Sequence, residues 1–442
     1  MSALAVTVII LAAIGNADCE SQNAYQQLPA SNYGAASLFH PARLMSKILS
    51  PIQSTLNHAS NFLNNRLESA YDQIDAVQRQ SFEMFIHMYN KSYSPQELPH
   101  RLALFAERRK IIQDSINAFR QGQSTFMMRE NPYLDQDEEE LKALTGVSLP
   151  AFNDLLPEEQ QNLLADNPLY QRQAAQQSPL GAPVSRRRRS ISDASNMTDN
   201  AIADDSKMSV KAESIPARWD WRSSGCVSSV IDQKRCGACY AIATMTAVES
   251  MRCLKQAQAP VLAPQQIVDC ATAGRGYQNF GCDGGWPTRA LQYLQDSGVA
   301  ARESCYPFVR RQDRCKMSYV KQRSGCTVSS SPSNTKLRYK VLNNERDILY
   351  HVAKTGPVVT VMKATDKFIY YGSGIFDDPR CSRRRNDVDH AIVIVGYGRE
   401  NGQDYWLIKN SWNTDWGING YGKYKRGTNA CSIGHWGWVL TS

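Results

Sequence analysis

The placement of cysteine constrains this chain more than any other feature. Of its 12 cysteines, Cys19 stands alone near the start and the others all fall between Cys226 and Cys431. The opening stretch, MSALAVTVIILAAIGNADCES, carries an apolar run from Ala3 to Ile14, followed by the small residues Gly15 and Ala17. That run is too short to cross a bilayer. It predicts a cleaved secretory signal over 1–17, although no Lys or Arg precedes it. The secretory pathway is oxidising, so its thiols pair. Removing Cys19 from the 12 leaves 12 − 1 = 11 in the later region, enough for five bridges and one free, reactive thiol. No later segment holds about eighteen continuous apolar residues, so no membrane span is expected.

Residues 18–75 read as an N-terminal extension. It is polar at first, then helical from Leu44 to Ile74 with an interruption near Pro51. A second helical block runs from about Arg79 to Phe119, broken around KSYSPQELPH, and YLDQDEEELKALTG suits a short capped helix. Residues 148–214 are rich in Gln, Pro, Ser, Asp and Asn and predict a solvent-exposed linker. That linker holds the sequon at Asn196; the other glycosylation candidate is Asn90. It also holds Arg186–Arg189 followed by Ser190, which reads as a proprotein-convertase site cut between Arg189 and Ser190. The net charge of +8 is concentrated there and in Arg383–Arg385 rather than along a helix face, so no nucleic-acid partner is expected. From Ile215 onward the texture is that of a packed domain, with all 8 tryptophans and the runs GPVVTVMKA and HAIVIVGYG.

Within that domain, IDQKRCGACYAIATMTAVES sets Cys236 and Cys239 three residues apart. A redox pair would need a βαβ setting, and zinc would need a second Cys/His pair at ligand spacing. Neither is present: the later cysteines are scattered and the 7 histidines form no H-x3–5-H pair, so no metal or cofactor is expected. A structural cysteine beside a nucleophilic one fits the odd count. Ile242, Met245, Val248 and Met251 recur with helical period, with Glu249 and Arg252 on the outer face. Cys239 therefore opens a helix, where free N–H groups favour an anion. A cysteine nucleophile needs a base, an orienter for that base and a donor for the oxyanion. The candidates are His390 opening an apolar strand, Asn410 ending another, and the amide of Gln233.

These residues resemble the papain/cathepsin family of cysteine proteases. CGACY fits the family signature C-G-[SA]-C-[WY]. His390 and Asn410 follow Cys239 by 390 − 239 = 151 and 410 − 239 = 171 residues, in the family's order, and NSW, GCDGGWP and WGINGYG also match. The resemblance implies an α+β fold: a papain-like two-domain peptidase over 215–442, helical on the left and β-barrel-like on the right, preceded by a helical propeptide. It makes Cys239 the nucleophile, His390 the acid/base, Asn410 its orienter and Gln233 an oxyanion donor beside the Cys239 N–H. Trp412 would shield the His390–Asn410 bond, and His390⁺ with the helix terminus would hold Cys239 as a thiolate. Substrate would lie along Gly237, Gly284 and Gly285, with Asp389 beside it. A pocket of Trp286, Pro287, Val361, Val388, Ala391 and Trp436 would take the P2 side chain. The implied disulfides are Cys236–Cys282, Cys270–Cys315 and Cys381–Cys431, with Cys226–Cys253 resembling a cathepsin B bridge and Cys305–Cys326 a cathepsin C one.

Upstream, FEMFIHMYNKSYSPQELPHRLALFAERRKII resembles the cathepsin L-like inhibitor propeptide, which assigns 76–147 to an intramolecular inhibitor lying backwards through the cleft. Glu97, Arg101, Phe105 and Ile112 keep its spacing, while Arg108 and Ile116 depart from it. In the cleft, Tyr240, Lys234 and Ala238 stand where Trp, Gly and Ser are usual, and no catalytic group is lost. The implied protein is a monomeric cysteine endopeptidase acting on protein and peptide substrates, made as a zymogen for the lysosome or the extracellular space. The alternative is a catalytically silent relative serving as a binding or matrix protein. A pocket wall with Trp436 at its far end offers an arginine no counter-charge, and an unpaired buried cation is costly. On matched fluorogenic peptides, kcat/KM should therefore be higher for P2-Val than for P2-Arg; the opposite order would mean the pocket wall is misassigned.

Overall fold

The helical periodicity after Arg79 becomes two crossing helices, α1 (Ala76–Met88) and α2 (Leu98–Arg120), the latter with a proline in its first turn. They belong to a computed structural model that describes residues 76–166, 215–256, 260–332 and 336–441. The signal segment, the extension 18–75 with Cys19, the sequon at Asn196 and the Arg189–Ser190 site lie outside the described residues. Phe105 packs 5.2 Å from Phe82 and 4.9 Å from Phe85, ring centre to ring centre, and these rings tie the two helices together. Strand β1 (Phe126–Met128) follows, then α3 (Glu138–Lys142), closed by a reciprocal capping box between Asp137 and Glu140.

Residues 148–166 differ from the exposed linker expected there. A 3₁₀ turn at Phe152–Asp154 leads into α4 (Pro157–Asp166), and Leu155, Glu159, Asn162 and Leu163 are buried. Composition averaged over 148–214 hides these few apolar anchors among many Gln, Ser and Pro residues.

In the C-terminal domain the first half is mainly helical: β2 (Trp219–Asp220), α5 (Cys239–Gln256), α6 (Pro264–Cys270), α7 (Pro287–Ser297), β3 (Val299–Ala301), α8 (Met317–Val320) and β4 (Thr327–Ser329). The second half is mainly strand: β5 (Arg338–Leu342), α9 (Glu345–Lys354), β6 (Val358–Met362), α10 (Asp366–Ile369), β7 (Tyr371–Phe376), β8 (His390–Glu400), β9 (Gln403–Lys409), β10 (Tyr421–Lys425) and β11 (Gly437–Thr441). The main sheet runs β1-β7-β10-β9-β8-β6-β11-β5, with β2 beside β8. The apolar run HAIVIVGYG makes β8, which is buried along most of its length at the centre of that sheet. Five disulfides join Cys226–Cys253, Cys236–Cys282, Cys270–Cys315, Cys305–Cys326 and Cys381–Cys431, the pairs that the resemblance implies.

One expectation about α5 fails. Glu249 and Arg252 were assigned to its outer face, yet both are buried. From Cys239 to Cys253 the helix is buried all round, and both charged side chains find a partner inside the fold. Glu249 accepts a hydrogen bond from the Leu262 N–H at 2.6 Å, and Arg252 donates to the Ser329 carbonyl. Lys409 of β9 meets α5 from the sheet side, donating to Thr246 at 3.2 Å and to Ser228 at 2.9 Å.

The leading segment 76–147 docks onto the sheet half through three kinds of contact. Strand β1 adds antiparallel to β7, and Phe126 packs 4.7 Å from Phe376. Glu140 forms ion pairs with Arg101 of α2 and with Arg235 of the C-terminal domain. Burial pushes the Glu140 carboxyl up, but hydrogen bonds from Arg101 and the Asp137 N–H, with the charges of Arg235 and Arg101, outweigh it and hold it below the usual glutamate range. A depressed value means that its contribution to docking is complete above the ordinary glutamate value and is lost as pH falls through the folded one. Hydrogen exchange in α1 and α2 of the full chain, taken relative to the intrinsic amide rate at each pH, should therefore quicken on acidification. In Glu140→Gln it should be roughly tenfold faster already at neutral pH, as loss of a charge-assisted pair implies; identical exchange in the two chains would show that Glu140 does not clamp the segment.

Candidate active site

Cys239 is the free cysteine among the described residues, and it is the first residue of α5, buried. The turn before it is fixed by Cys236, whose sulfur is tied to Cys282, and by the Gly237 N–H donating to the Cys282 carbonyl at 2.7 Å. Across the boundary between the two halves, the Ala391 N–H donates to Cys239 Sγ at 3.4 Å, which sets the start of β8 against the start of α5. His390 is therefore the neighbouring side chain by construction of the sheet.

The orientation of His390 follows from its partners. Asn410, immediately after β9, places Oδ1 2.8 Å from His390 Nε2, and the same oxygen accepts the Ser411 N–H at 2.8 Å. An atom accepting a backbone N–H must be the amide oxygen, so Nε2 carries the imidazole proton and Nδ1 is the bare acceptor. Nδ1 is buried with no hydrogen-bond partner. The Trp412 indole stacks on the imidazole at 4.4 Å and covers the His390–Asn410 bond.

Gln233 is held just as closely. Its N–H donates to the Ser411 carbonyl at 2.9 Å, and its side-chain Oε1 accepts from Ser411 Oγ. That leaves Nε2 to donate to the Leu144 carbonyl at 2.9 Å and to the Cys236 carbonyl at 3.0 Å. Trp412 Nε1 donates to the same Leu144 oxygen at 2.9 Å. Ser411, which orients this amide, was not singled out from sequence; it sits inside the NSW motif and was passed over as a neighbour of Asn410.

The leading segment crosses this site directly. Gly146 and Val147 both donate N–H groups to the Asp389 carbonyl, at 3.0 and 2.9 Å. Gly285 donates its N–H to the Gly146 carbonyl at 2.9 Å, and Val147 bridges Gly285 in parallel. A Cβ on Gly146 would lie 2.0 Å from the Gly237 carbonyl oxygen, and one on Gly237 would lie 2.7 Å from the Cys282 carbonyl oxygen. Glycine is required where two backbones meet this closely. Gly284, at φ +114, would also crowd the Gly146 carbonyl with any side chain.

The residues expected to line the P2 pocket are mostly buried in the core. Trp286, Val361, Val388, Ala391 and Trp436 share a buried cluster with Trp438, and Leu155 and Leu163 of the leading segment belong to the same cluster. Pro287 is the first residue of α7. Trp438 and Thr288 were missed from sequence, since neither carries a motif. Lys234 is exposed at φ +48, a left-handed conformation in which a lysine costs about 1–2 kcal/mol. Asn90 is exposed at φ +47, just after α1.

Burial opposes the ion pair that the resemblance implies. It pushes the Cys239 thiol up to about 12, despite hydrogen bonds from Ala391, Tyr240 and Gly146 that favour the thiolate. Burial also pushes the His390 imidazolium down to about 4, against the Asn410 bond that favours it. The thiolate appears only as pH rises toward the first value, and the imidazolium is lost as pH rises through the second. Under its cover burial disfavours both charged forms, the thiolate and the imidazolium.

Comparison with known proteins places these features. Residues 215–438 match the model of the papain family cysteine protease, and residues 82–141 match the cathepsin propeptide inhibitor domain. Pro-cathepsin H of Mus musculus is 29% identical over 361 residues, spanning 81% of this chain and 90% of that protein. Digestive cysteine proteinase 2 of Homarus americanus is 32% identical over 361 residues, spanning 80% and 92%. With cysteine proteinase 3 of Solanum lycopersicum, 38% identical over 219 residues, the alignment spans 50% of this chain and 58% of that protein. The solved structure of digestive procathepsin L 3 of Tenebrio molitor larval midgut superposes with a TM-score of 0.61 at 28% identity, covering 83% of this chain and all of the other.

Iodoacetamide should label Cys239 slowly in the intact chain between about pH 5 and 8, and roughly 100-fold faster once the segment before Ile215 is removed and the pair can ionise. Equal labelling rates before and after removal would show that the covering segment does not control the thiol.

Proposed function

We propose, because the chain belongs to the papain family of cysteine proteases, that it is an endopeptidase working through a Cys239–His390 ion pair and held latent by residues 76–166. The observation that carries this reading is the convergence of one unpaired thiol at a helix start with a histidine already oriented by an amide and a second amide, Gln233, whose Nε2 donates to a carbonyl of the covering segment. Once the covering segment leaves, Nδ1 of His390 takes the thiol proton. The thiolate attacks the carbonyl carbon of a peptide bond, and the negative charge passes to the carbonyl oxygen. Gln233 Nε2 and the Cys239 N–H stabilise that charge, with Ser411 holding the amide in the donating orientation. His390⁺ gives its proton to the departing amine, which leaves a thioester on Cys239. A water then loses its proton to His390 and attacks the thioester. The acid product departs and the thiolate–imidazolium pair is restored.

The same reading places the protein in the secretory pathway as a monomer bound for the lysosome or the extracellular space, with glycans at Asn90 and Asn196. A convertase cut between Arg189 and Ser190 would separate the leading segment from the peptidase domain, with trimming to about Ile215 completing maturation. Protein and peptide chains are the substrates, and the glycines 237, 284 and 285 give the substrate backbone the close approach that Gly146 now uses.

Mutation of the activated enzyme tests the roles. Cys239→Ala should abolish peptide hydrolysis, and His390→Ala should cost more than Asn410→Ala, which removes only an orienting bond. Gln233→Ala should lower kcat by roughly 10²–10³, the loss expected for one oxyanion donor. Hydrolysis that survives in the Cys239 variant would end the cysteine-protease reading.

A further inference from the structure

The buried cluster that joins Cys239, Trp286, Leu155 and Leu163 encloses a polar group that the family roles above leave unused. Glu159, in the first turn of α4, is 1% exposed. Its Oε1 accepts hydrogen bonds from Trp286 Nε1 at 3.0 Å and from Thr288 Oγ1, and its Oε2 accepts the Leu156 N–H at 3.0 Å. Oε2 thus closes the turn of its own helix, while Oε1 belongs to the C-terminal domain. Trp286 and Thr288 are themselves 1% exposed, and they flank the start of α7, where the peptide dipoles add to the attraction for an anion. The surrounding wall is aromatic: the Trp286 ring stands edge-on to Trp436 at 5.4 Å and to Trp438 at 5.3 Å. Trp438 contributes a further Nε1–H that is buried with no hydrogen-bond partner. The wall is therefore apolar in shape but rich in neutral donors, and a carboxylate can enter such a place only where donors meet it.

We infer that Trp286 Nε1 and Thr288 Oγ1 form an acceptor-reading subsite. In the activated enzyme it binds a substrate side chain of glutamate length ending in a carboxylate or carboxamide oxygen. Glu159 occupies this subsite before activation. The inference rests on the protease reading and deepens it, since the pocket is the one assigned to the P2 side chain. When α4 leaves, both donors lose their acceptor at once. A substrate side chain of the same length without an oxygen would fill the volume and leave the indole N–H and the hydroxyl unpaired, which is the costly outcome for buried polar groups. A glutamine or glutamate restores both bonds. Shape alone separates Gln poorly from Met, so discrimination between them reads the donors and little else.

The test uses enzyme matured from the full chain and paired fluorogenic peptides that differ only at P2, Gln against Met and Glu against Leu. The acceptor-bearing peptide of each pair should show roughly 10–100-fold higher kcat/KM. Thr288→Val should compress that ratio toward one, and Thr288→Ser, which keeps the hydroxyl, should retain it. Should Thr288→Val fail to fold, a second measurement stands without it. A synthetic peptide spanning 149–166 should inhibit the matured enzyme, and its Glu159→Met version should inhibit at least roughly tenfold less well. Efficient cleavage of every peptide with Met and Leu equal to or ahead of Gln and Glu overturns the subsite. Equal inhibition by the two synthetic peptides does the same. Failure of the protease reading looks different: no peptide is cleaved at all, and Cys239 stays unlabelled by a thiol-directed epoxide.

Discussion

The closeness of two backbones at Gly146 and Gly237 governs the state of everything around them. With a Cβ on Gly146 placed 2.0 Å from the Gly237 carbonyl oxygen, no other residue could lie there. The approach lets the Asp389 carbonyl and the Gly285 N–H bond the crossing segment from both sides of the cleft. It also seats the Leu144 carbonyl against Gln233 and Trp412, so a chain carbonyl already meets the donor that an oxyanion would need. The segment runs parallel to Gly285, and it is held by the site's own polar groups.

Electrostatics follows from that cover. Cys239 has what favours a thiolate: a helix start, backbone donors and an imidazole acceptor nearby. Burial outweighs them and holds the thiol up at about 12, as it holds the imidazolium down at about 4. The segment that blocks the cleft thus also disfavours the charged forms of both groups, because it excludes water. The catalytic geometry itself stays assembled, because Asn410, Ser411 and Trp412 anchor His390 and Gln233 from within the C-terminal domain.

Much of this was legible in the sequence. Cys239 at a helix start, His390 opening a strand and Asn410 just after one all lie where the sequence reading put them, and the helical block over 79–119 and the capped turn after it appear where apolar spacing put them. The misreadings share a cause. Periodicity identifies a helix face only when the helix has a wet side, and α5 has none, so Glu249 and Arg252 were sent outward although both are buried with partners supplied by distant loops. Composition averages a window, so a four-turn segment with Leu155, Glu159 and Leu163 vanished into a Gln- and Ser-rich stretch. Ser411, Thr288 and Trp438 carry no motif and gain their meaning only from what the fold brings beside them.

The buried carboxylate of Glu159 shows why the last class of residue matters. Viewed as sequence, the pocket wall is a row of aromatic and aliphatic side chains, and such a wall sorts substrates by volume alone. Volume sorts weakly, since one methylene more or less changes binding by only about 1–3 kcal/mol. Donors built into an apolar wall change the rule, because an unpaired buried donor penalises every occupant that cannot answer it. Trp286 supplies both kinds of surface at once: its ring belongs to the apolar cluster and its N–H faces a carboxylate. A side chain counted as wall is then also a reader. The covering helix gives the natural sample of what is read, because a glutamate confined there at 1% exposure has to have both oxygens met, and Trp286 and Thr288 meet Oε1.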